Sequence, residues 1–128
     1  MAKAFREGNE VRWRGIRLAH KGTQVTAYVQ AAGGTAIAYT VPAGQTLFIS
    51  HYTVSCRGAA AGQAAMVIYT AVPAVSSYHG VIEHDPNTTG TLGLGLFDPI
   101  EVPAGYTVRA YSSAAGVVCQ ITIAGWVE

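Results

Sequence analysis

From residue 23 onward, the chain consists of short segments rich in Val, Ile, Thr, Tyr and Phe, separated every several residues by Gly, Pro, Asn or Asp. No apolar period of 3.6 residues persists, so amphipathic helices are not predicted. The pattern predicts nine short strands, at residues 24–30, 35–41, 45–56, 63–71, 81–84, 90–96, 100–102, 107–112 and 117–127. Many short strands with turn-rich connections are typical of a two-sheet sandwich. We therefore predict an all-β protein, a jelly-roll-like antiparallel β-sandwich.

One turn sequence occurs twice, as Val-Pro-Ala-Gly at residues 41–44 and at residues 102–105. Proline presets the φ angle for the first central position of a β-turn, and glycine accepts positive φ at its end. Proline also ends the preceding strand, because it has no N–H for the ladder. The two copies are about half a domain apart, so they are predicted to be matching corners of the sandwich.

The charged residues divide the chain into two parts. Residues 1–22 contain six Lys or Arg and two Glu, whereas residues 23–128 contain two Arg and five Asp or Glu. This asymmetry predicts an extended basic N-terminal arm at residues 1–22 and a β-sandwich body at residues 23–128. The basic residues of the arm are interleaved with glutamates and too few to neutralise many phosphates, so no nucleic-acid partner is expected. We expect the arm to bind a protein surface.

The composition points to a covered surface. Half of the residues are hydrophobic and 12% are charged, a balance that indicates oligomerisation or attachment. The apolar runs are broken well short of the ~20 residues of a membrane span, so no membrane partner is predicted. The N-terminus is charged and lacks the apolar segment of a secretory signal, so we expect synthesis in a cytoplasm. In that compartment Cys56 and Cys119 are expected to be buried free thiols.

The segment of residues 92–96 alternates leucine with glycine: Leu92, Gly93, Leu94, Gly95 and Leu96. On a strand this alternation places leucine on one face and bare backbone on the other. Close packing of the opposite sheet or a bulge would explain the bare face. A second subunit that approaches closely would explain it equally well, so these five residues are the candidate oligomer interface.

No catalytic constellation is recognisable. The densest group of titratable residues contains His79, Glu83, His84 and Asp85. Two histidines five residues apart lie on opposite faces of a regular strand, so a shared metal would require a turn between them. The chain has no His-x-His pair, nucleophile elbow or phosphate-binding loop. We therefore predict no enzyme activity, no metal and no cofactor, and a small cupin-like metal enzyme at His79, Glu83 and His84 is kept as an alternative.

Tyrosines offer a further possibility. Tyr69, Tyr78, Tyr106 and Tyr111 combine apolar area with a polar tip and could form a sugar-stacking or interface surface. Each of them is expected to be half buried in the sandwich. As a group they keep open the alternative of receptor or glycan binding.

Four segments occur in a distinctive order: "VRWRGIRLAHKGTQV", "YTVPAGQTLFISHYTVS", "FDPIEVPAGYTVRAYSSAAG" and the terminal "ITIAGWVE". This order resembles that of small β-sandwich structural proteins of tailed bacteriophages, which are accessory proteins of head and tail. The resemblance implies a homotrimer that decorates or cements the capsid, with a terminal arm that grips neighbouring capsid subunits. It also implies a virion location on the capsid surface and the major capsid protein as partner.

We therefore expect a virion structural protein whose mechanism is binding, and a tail or fibre component that binds a host-surface glycan through exposed tyrosines is kept as an alternative. The predicted capsid-binding residues are Phe5, Arg6, Arg12, Trp13, Arg14 and Arg17. Trp13 is expected to be the hydrophobic anchor, and the arginines are expected to pair with acidic residues of the shell.

Overall fold

The computed structural model describes residues 22–128, and these residues form strands and connections without any helix. Eight strands follow one another along the chain: β1 (Thr23–Ala32), β2 (Gly34–Thr40), β3 (Leu47–Gly58), β4 (Gly62–Tyr69), β5 (Val75–His84), β6 (Thr88–Val102), β7 (Thr107–Ser112) and β8 (Val118–Val127). The predicted capsid-binding residues Phe5, Arg6, Arg12, Trp13, Arg14 and Arg17 lie outside the described residues.

The strands form two antiparallel sheets of four. One sheet has the order β1-β8-β3-β6 and the other has the order β2-β7-β4-β5. Successive strands change sheet at every connection except the β4–β5 hairpin, and each sheet interleaves strands from the first half of the chain with strands from the second. This is the eight-stranded jelly-roll arrangement of two sheets. The predicted fold class, a jelly-roll-like antiparallel β-sandwich, is confirmed.

The core lies between the two sheets and is built by the period-two pattern of the strands. In β8, Cys119, Ile121 and Ile123 are buried and alternate with half-buried neighbours. Met66 of β4 faces them from the other sheet and is fully buried. Burying an aliphatic side chain of this size stabilises a fold by about 1.5–3 kcal/mol, so the alternation selects which face of each strand turns inward.

The two Val-Pro-Ala-Gly corners connect the sheets, and they lie side by side. The first leads from β2 to β3 and the second from β6 to β7, so each crosses from one sheet to the other. The Val41 N–H donates to the Tyr106 carbonyl at 2.9 Å, and the Gly105 N–H donates to the Val41 carbonyl at 2.9 Å. The prediction of matching corners is confirmed, and the repeat places two turns of the same shape against each other.

The position of proline within these turns differs from the prediction. The Gln45 N–H donates to the Pro42 carbonyl, and the Tyr106 N–H donates to the Pro103 carbonyl, each at 3.2 Å. Proline is therefore the first residue of each turn and not its first central residue. The glycines take the second central position, where φ is +76° at Gly44 and +82° at Gly105. That position of a type II turn requires positive φ, which explains why glycine is the residue used there.

Two strand assignments were wrong. The strand predicted at residues 81–84 begins at residue 75 in the structure. The prediction missed its first half because those residues are mostly polar, include a glycine and show little β-pattern. The strands predicted at residues 90–96 and 100–102 are one strand, β6. Its pairing with β3 shifts register between Gly95 and Ile100, where Pro99 lies on the sheet edge. An edge strand tolerates proline at a bulge, so proline interrupts the ladder there without ending the strand.

Candidate binding surfaces

The segment of residues 92–96, called the Leu-Gly segment below, lies in β6, which is an edge strand of its sheet. Leu92 pairs with Val54 and Leu94 with Tyr52, both of which are buried, so the leucines turn toward the sandwich interior. Gly93 and Gly95 pair with Thr53 and His51 and therefore turn to the outside. The predicted alternation of a leucine face with a bare face is thus present, and the bare face is the outer one.

Neither glycine is demanded by the chain itself. A Cβ atom at Gly93 would meet the Thr53 Cγ2 at 3.4 Å, and one at Gly95 would meet the His51 Cδ2 at 3.9 Å, which are ordinary contacts. Neither residue has positive φ. Packing of the opposite sheet therefore does not explain the bare face, since that sheet lies on the other side. The predicted bulge is present directly after Gly95, and contact with another molecule is the other predicted reason for the bare face.

The free edge of the sandwich beside this segment is apolar. Leu94 is 39% exposed although it faces inward, because β5 of the opposite sheet covers it only in part. Phe97, one residue beyond the Leu-Gly segment, is fully exposed. A fifteen-residue edge strand also presents unpaired backbone groups, which favour pairing with another chain.

The group around His84 does not form a metal site. The ring nitrogens of His84 lie 2.8 Å from the Ala60 carbonyl oxygen and 3.0 Å from the Thr88 carbonyl oxygen, so both are occupied by the backbone. The Glu83 carboxylate accepts a hydrogen bond from Gln63 at 2.5 Å and is exposed. Among residues 22–128, no three His, Cys, Asp or Glu side chains come together in a way that could hold a metal ion.

His79 and His84 lie on the same face of β5, which contradicts the expectation of opposite faces. His79 pairs with Met66 and His84 with Gly62, four residues apart on β4, so both turn inward. The reason is a bulge between them, where Gly80 adopts φ +63°. The side chains do not meet: the His79 Nε2 lies 2.8 Å from the Ser77 hydroxyl, and its ring lies edge-on to Tyr52.

Three of the four tyrosines singled out from the sequence come together on the outer face of the second sheet. The Tyr78 and Tyr111 rings are 5.8 Å apart in an edge-to-face arrangement. Tyr69 is nearby under the Arg109 guanidinium, whose carbon lies 4.1 Å from the ring centroid. Tyr106 is elsewhere and packs against the core. Tyr69, Tyr78, Tyr111 and Arg109 are called the tyrosine–arginine cluster below.

Register explains why these side chains meet. Arg109 of β7 pairs with Val67 of β4, and Val67 pairs with Tyr78 of β5. Val67 lies on the outer face, since its neighbours Met66 and Ile68 point into the core, yet it is fully buried. The larger side chains around it therefore cover it completely and make a continuous layer above the sheet.

Arg109 was not singled out from the sequence, although its position contained a signal. Residues 107, 109 and 111 of one strand share a face, so Arg109 had to lie beside Tyr111. Its Nε donates to the Thr107 hydroxyl at 2.9 Å, and its Nη1 donates to the Thr35 hydroxyl at 3.3 Å. These two bonds and the Tyr69 ring hold the guanidinium in one orientation.

The two cysteines are buried and free, as predicted. Cys56 of β3 and Cys119 of β8 face each other across adjacent strands. Burial raises the pKa of both thiols, since a thiolate loses its hydration there. Both side chains therefore act as small apolar groups of the core and not as nucleophiles.

A cleft of about 300 Å³ opens on the outer face of the first sheet. Gln24 and Thr26 of β1, Ser50 of β3 and Trp126 of β8 are among its lining residues. Trp126 stacks on Phe48 with ring centroids 5.3 Å apart. The lining contains no charged group, and its hydroxyls are those of Thr26 and Ser50, of which the Ser50 hydroxyl donates to the Ala124 carbonyl.

Comparison with known proteins finds no match from which a function could be inferred. No known protein-family model matches the chain, and no curated protein matches it. The part of the chain that the structure describes has no helix with the length and hydropathy needed to cross a bilayer.

Proposed function

We propose that the protein is a structural component of a tailed-bacteriophage virion, a capsid decoration or cement protein that binds the assembled shell as a homotrimer. The observation that carries this proposal is the Leu-Gly segment on the free edge of β6. Its outer face is bare although nothing in residues 22–128 requires glycine there. Exposed apolar side chains and open backbone adjoin it, which is the character of a surface that another subunit covers.

The proposed arm supplies the contact with the shell. Phe5 and Trp13 bury apolar area against the major capsid protein, and Arg6, Arg12, Arg14 and Arg17 pair with its carboxylates. A trimer carries three such arms. Once one arm is bound, the others are held close to neighbouring capsid subunits, so each added contact gains effective concentration.

Stabilisation of the shell then follows from mass action. A ligand that binds only the assembled state lowers its free energy relative to dissociated subunits, by an amount that grows with the logarithm of the ligand concentration. No catalysis is required of the bound protein. The protein contributes a folded sandwich with two binding surfaces, the arm and the β6 edge.

The test combines light scattering with co-sedimentation on capsids of the same virus. We expect the full chain to have the mass of a trimer and to pellet with shells. Gly95→Glu adds bulk and charge at the outer face of the Leu-Gly segment, where the chain leaves space for a side chain. We expect this variant to fold and to have a lower oligomeric mass than the trimer. Ala32→Glu is the matched control, because Ala32 is exposed on the other edge strand of the same sheet.

Deletion of residues 1–22 separates the two surfaces. The truncated protein is expected to keep its oligomeric mass and to stay in the supernatant. Retained sedimentation with shells would refute the arm assignment, and an unchanged mass for Gly95→Glu would refute the interface assignment. A full chain that is monomeric and ignores shells would overturn the decoration function itself.

A further inference from the structure

We propose that the tyrosine–arginine cluster is a binding site for a carboxylate-bearing saccharide. In this site the Arg109 guanidinium binds the sugar carboxylate, and the Tyr78 and Tyr111 rings contact the apolar face of the sugar ring. The site lies on the outer face of the second sheet, whereas the proposed shell contacts use the arm and the edge of the first sheet. It is therefore independent of shell binding.

Arg109 is oriented before any ligand arrives. Of the five N–H groups of a guanidinium, one is donated to Thr107 and one to Thr35, so three have no acceptor among residues 22–128. The free donors include both on Nη2 and one on Nη1, which together can hold the two oxygens of one carboxylate. Bidentate binding of this kind is strong and selective for planar anions. Because the side chain is already held, little rotamer entropy is lost on binding.

The charge of Arg109 has no carboxylate partner among residues 22–128. Residues 23–128 contain two cations, Arg57 and Arg109, and five carboxylates. No carboxylate in the described chain forms an ion pair with Arg109: Glu83 accepts from Gln63 and Glu128 accepts from Trp126. A fixed, uncompensated cation on a mildly acidic body attracts an anion from outside the molecule.

The tyrosines supply the apolar half of the site. Tyr78 is 51% exposed and is held edge-to-face against Tyr111. Two strand spacings separate Arg109 from Tyr78, so their Cα atoms lie about 10 Å apart on either side of Val67. Because Val67 between them is completely covered, a sugar ring would lie on top of this surface and contact the guanidinium and the aromatic pair from outside. Tyrosine suits a sugar, because its ring packs against C–H groups while its hydroxyl reaches the sugar hydroxyls.

The surroundings favour a saccharide over a protein partner. Thr35 and Thr107 flank the arginine, and Ala65 and Val67 beneath the cluster are already buried. Two aliphatic side chains beside the cluster have large exposure, Ile37 at 50% and Val75 at 43%, and they lie on the two opposite edge strands of the sheet. A protein interface needs a broader apolar centre than this. A small aromatic surface with tyrosine hydroxyls beside one fixed cation matches an acidic sugar.

The test is a titration of the full chain, followed by NMR, with four probes: the methyl glycosides of N-acetylneuraminic acid, glucuronic acid and galactose, and sodium acetate. We expect at least one acidic glycoside to bind, with neutral galactoside and acetate each weaker by about tenfold or more. Arg109→Gln is expected to weaken the acidic glycoside by about tenfold or more, since a charge-assisted pair is lost. Arg109→Lys keeps the charge without the fork and is expected to rescue binding only in part.

Arg57→Gln is the matched control, because Arg57 is the other arginine of the body, lies on the opposite sheet and donates to Gln30. It is expected to bind as the unchanged protein does. Equal binding of galactoside, or of acetate, would overturn the proposal, and so would an absence of binding by both acidic sugars. If Arg109→Gln instead lowers the oligomeric mass, the cluster is a protein interface and the saccharide assignment is wrong. Shell sedimentation by Arg109→Gln should be unchanged, so failure here leaves the decoration proposal standing.

Discussion

Substitution of Gly80 by alanine tests the bulge that places His79 and His84 on the same face of β5. Gly80 has φ +63°, a conformation that costs an L-residue about 1–2 kcal/mol. An added Cβ would also lie 2.9 Å from the Tyr52 Cε2, 3.0 Å from the Val54 Cγ2 and 3.3 Å from the Leu92 Cδ2. Tyr52 and Val54 are buried, so they have little room to move, and overpacking of this kind costs about 1–3 kcal/mol.

The two contributions add, so we expect Gly80→Ala to lower the free energy of unfolding by about 2–5 kcal/mol. Gly44→Ala is the matched control: Gly44 has φ +76° in a corner turn, and nothing lies within 4 Å of its added Cβ. It carries only the backbone cost, about 1–2 kcal/mol.

Urea denaturation of both variants at one protein concentration measures the difference, because oligomerisation makes apparent stability concentration-dependent. Thermal unfolding provides a second readout, at roughly 4 °C per kcal/mol for a chain of this size. Equal destabilisation by the two substitutions would refute the reasoning, since it would mean that the added methyl group at Gly80 meets no fixed neighbours.

Three further predictions follow from buried and partly buried polar groups. Because burial raises the pKa of both thiols, Cys56 and Cys119 are expected to resist alkylation in the native protein and to react fully in denaturant; stoichiometric labelling of the native protein would contradict this. Ser112→Ala removes the hydroxyl that accepts from the Gly33 N–H and donates to the Val117 carbonyl, and we expect a loss of about 1–3 kcal/mol in urea unfolding; a neutral effect would mean that solvent reaches these groups. Desolvation lowers the pKa of His79 below its ordinary value of 6.5, so the folded state binds fewer protons than the unfolded state and stability falls as the pH drops below 6.5; an NMR titration of His79 with a midpoint above 6.5 would reverse that sign.

The fold class followed from local chemistry. Period-two runs of β-branched and aromatic residues with frequent Gly and Pro can bury one face only as strands, and eight such strands close into two sheets. The corners were predictable for the same reason, because glycine at residues 44 and 105 satisfies a positive φ within a single turn. These inferences did not depend on which other segments of the chain pack against each strand or turn.

The errors arose where distant segments decide the outcome. The first half of β5 is a strand because β4 pairs with it, although residues 75–80 carry little β-pattern. The interruption at Pro99 is a bulge because β6 is an edge strand, a status that no local pattern encodes. His79 and His84 share a face because a glycine bulge between them changes the parity of the strand.

The sequence alone determined that the chain is all-β and that its glycine–leucine alternation makes one bare face. Only the tertiary structure decided that the bare face points outward on a free edge, and that Arg109 joins three tyrosines from three strands. The physical reason is that alternation determines the side of a strand, whereas the neighbours of a side chain depend on strand order and register. Those are set by the closure of the whole sandwich around its core.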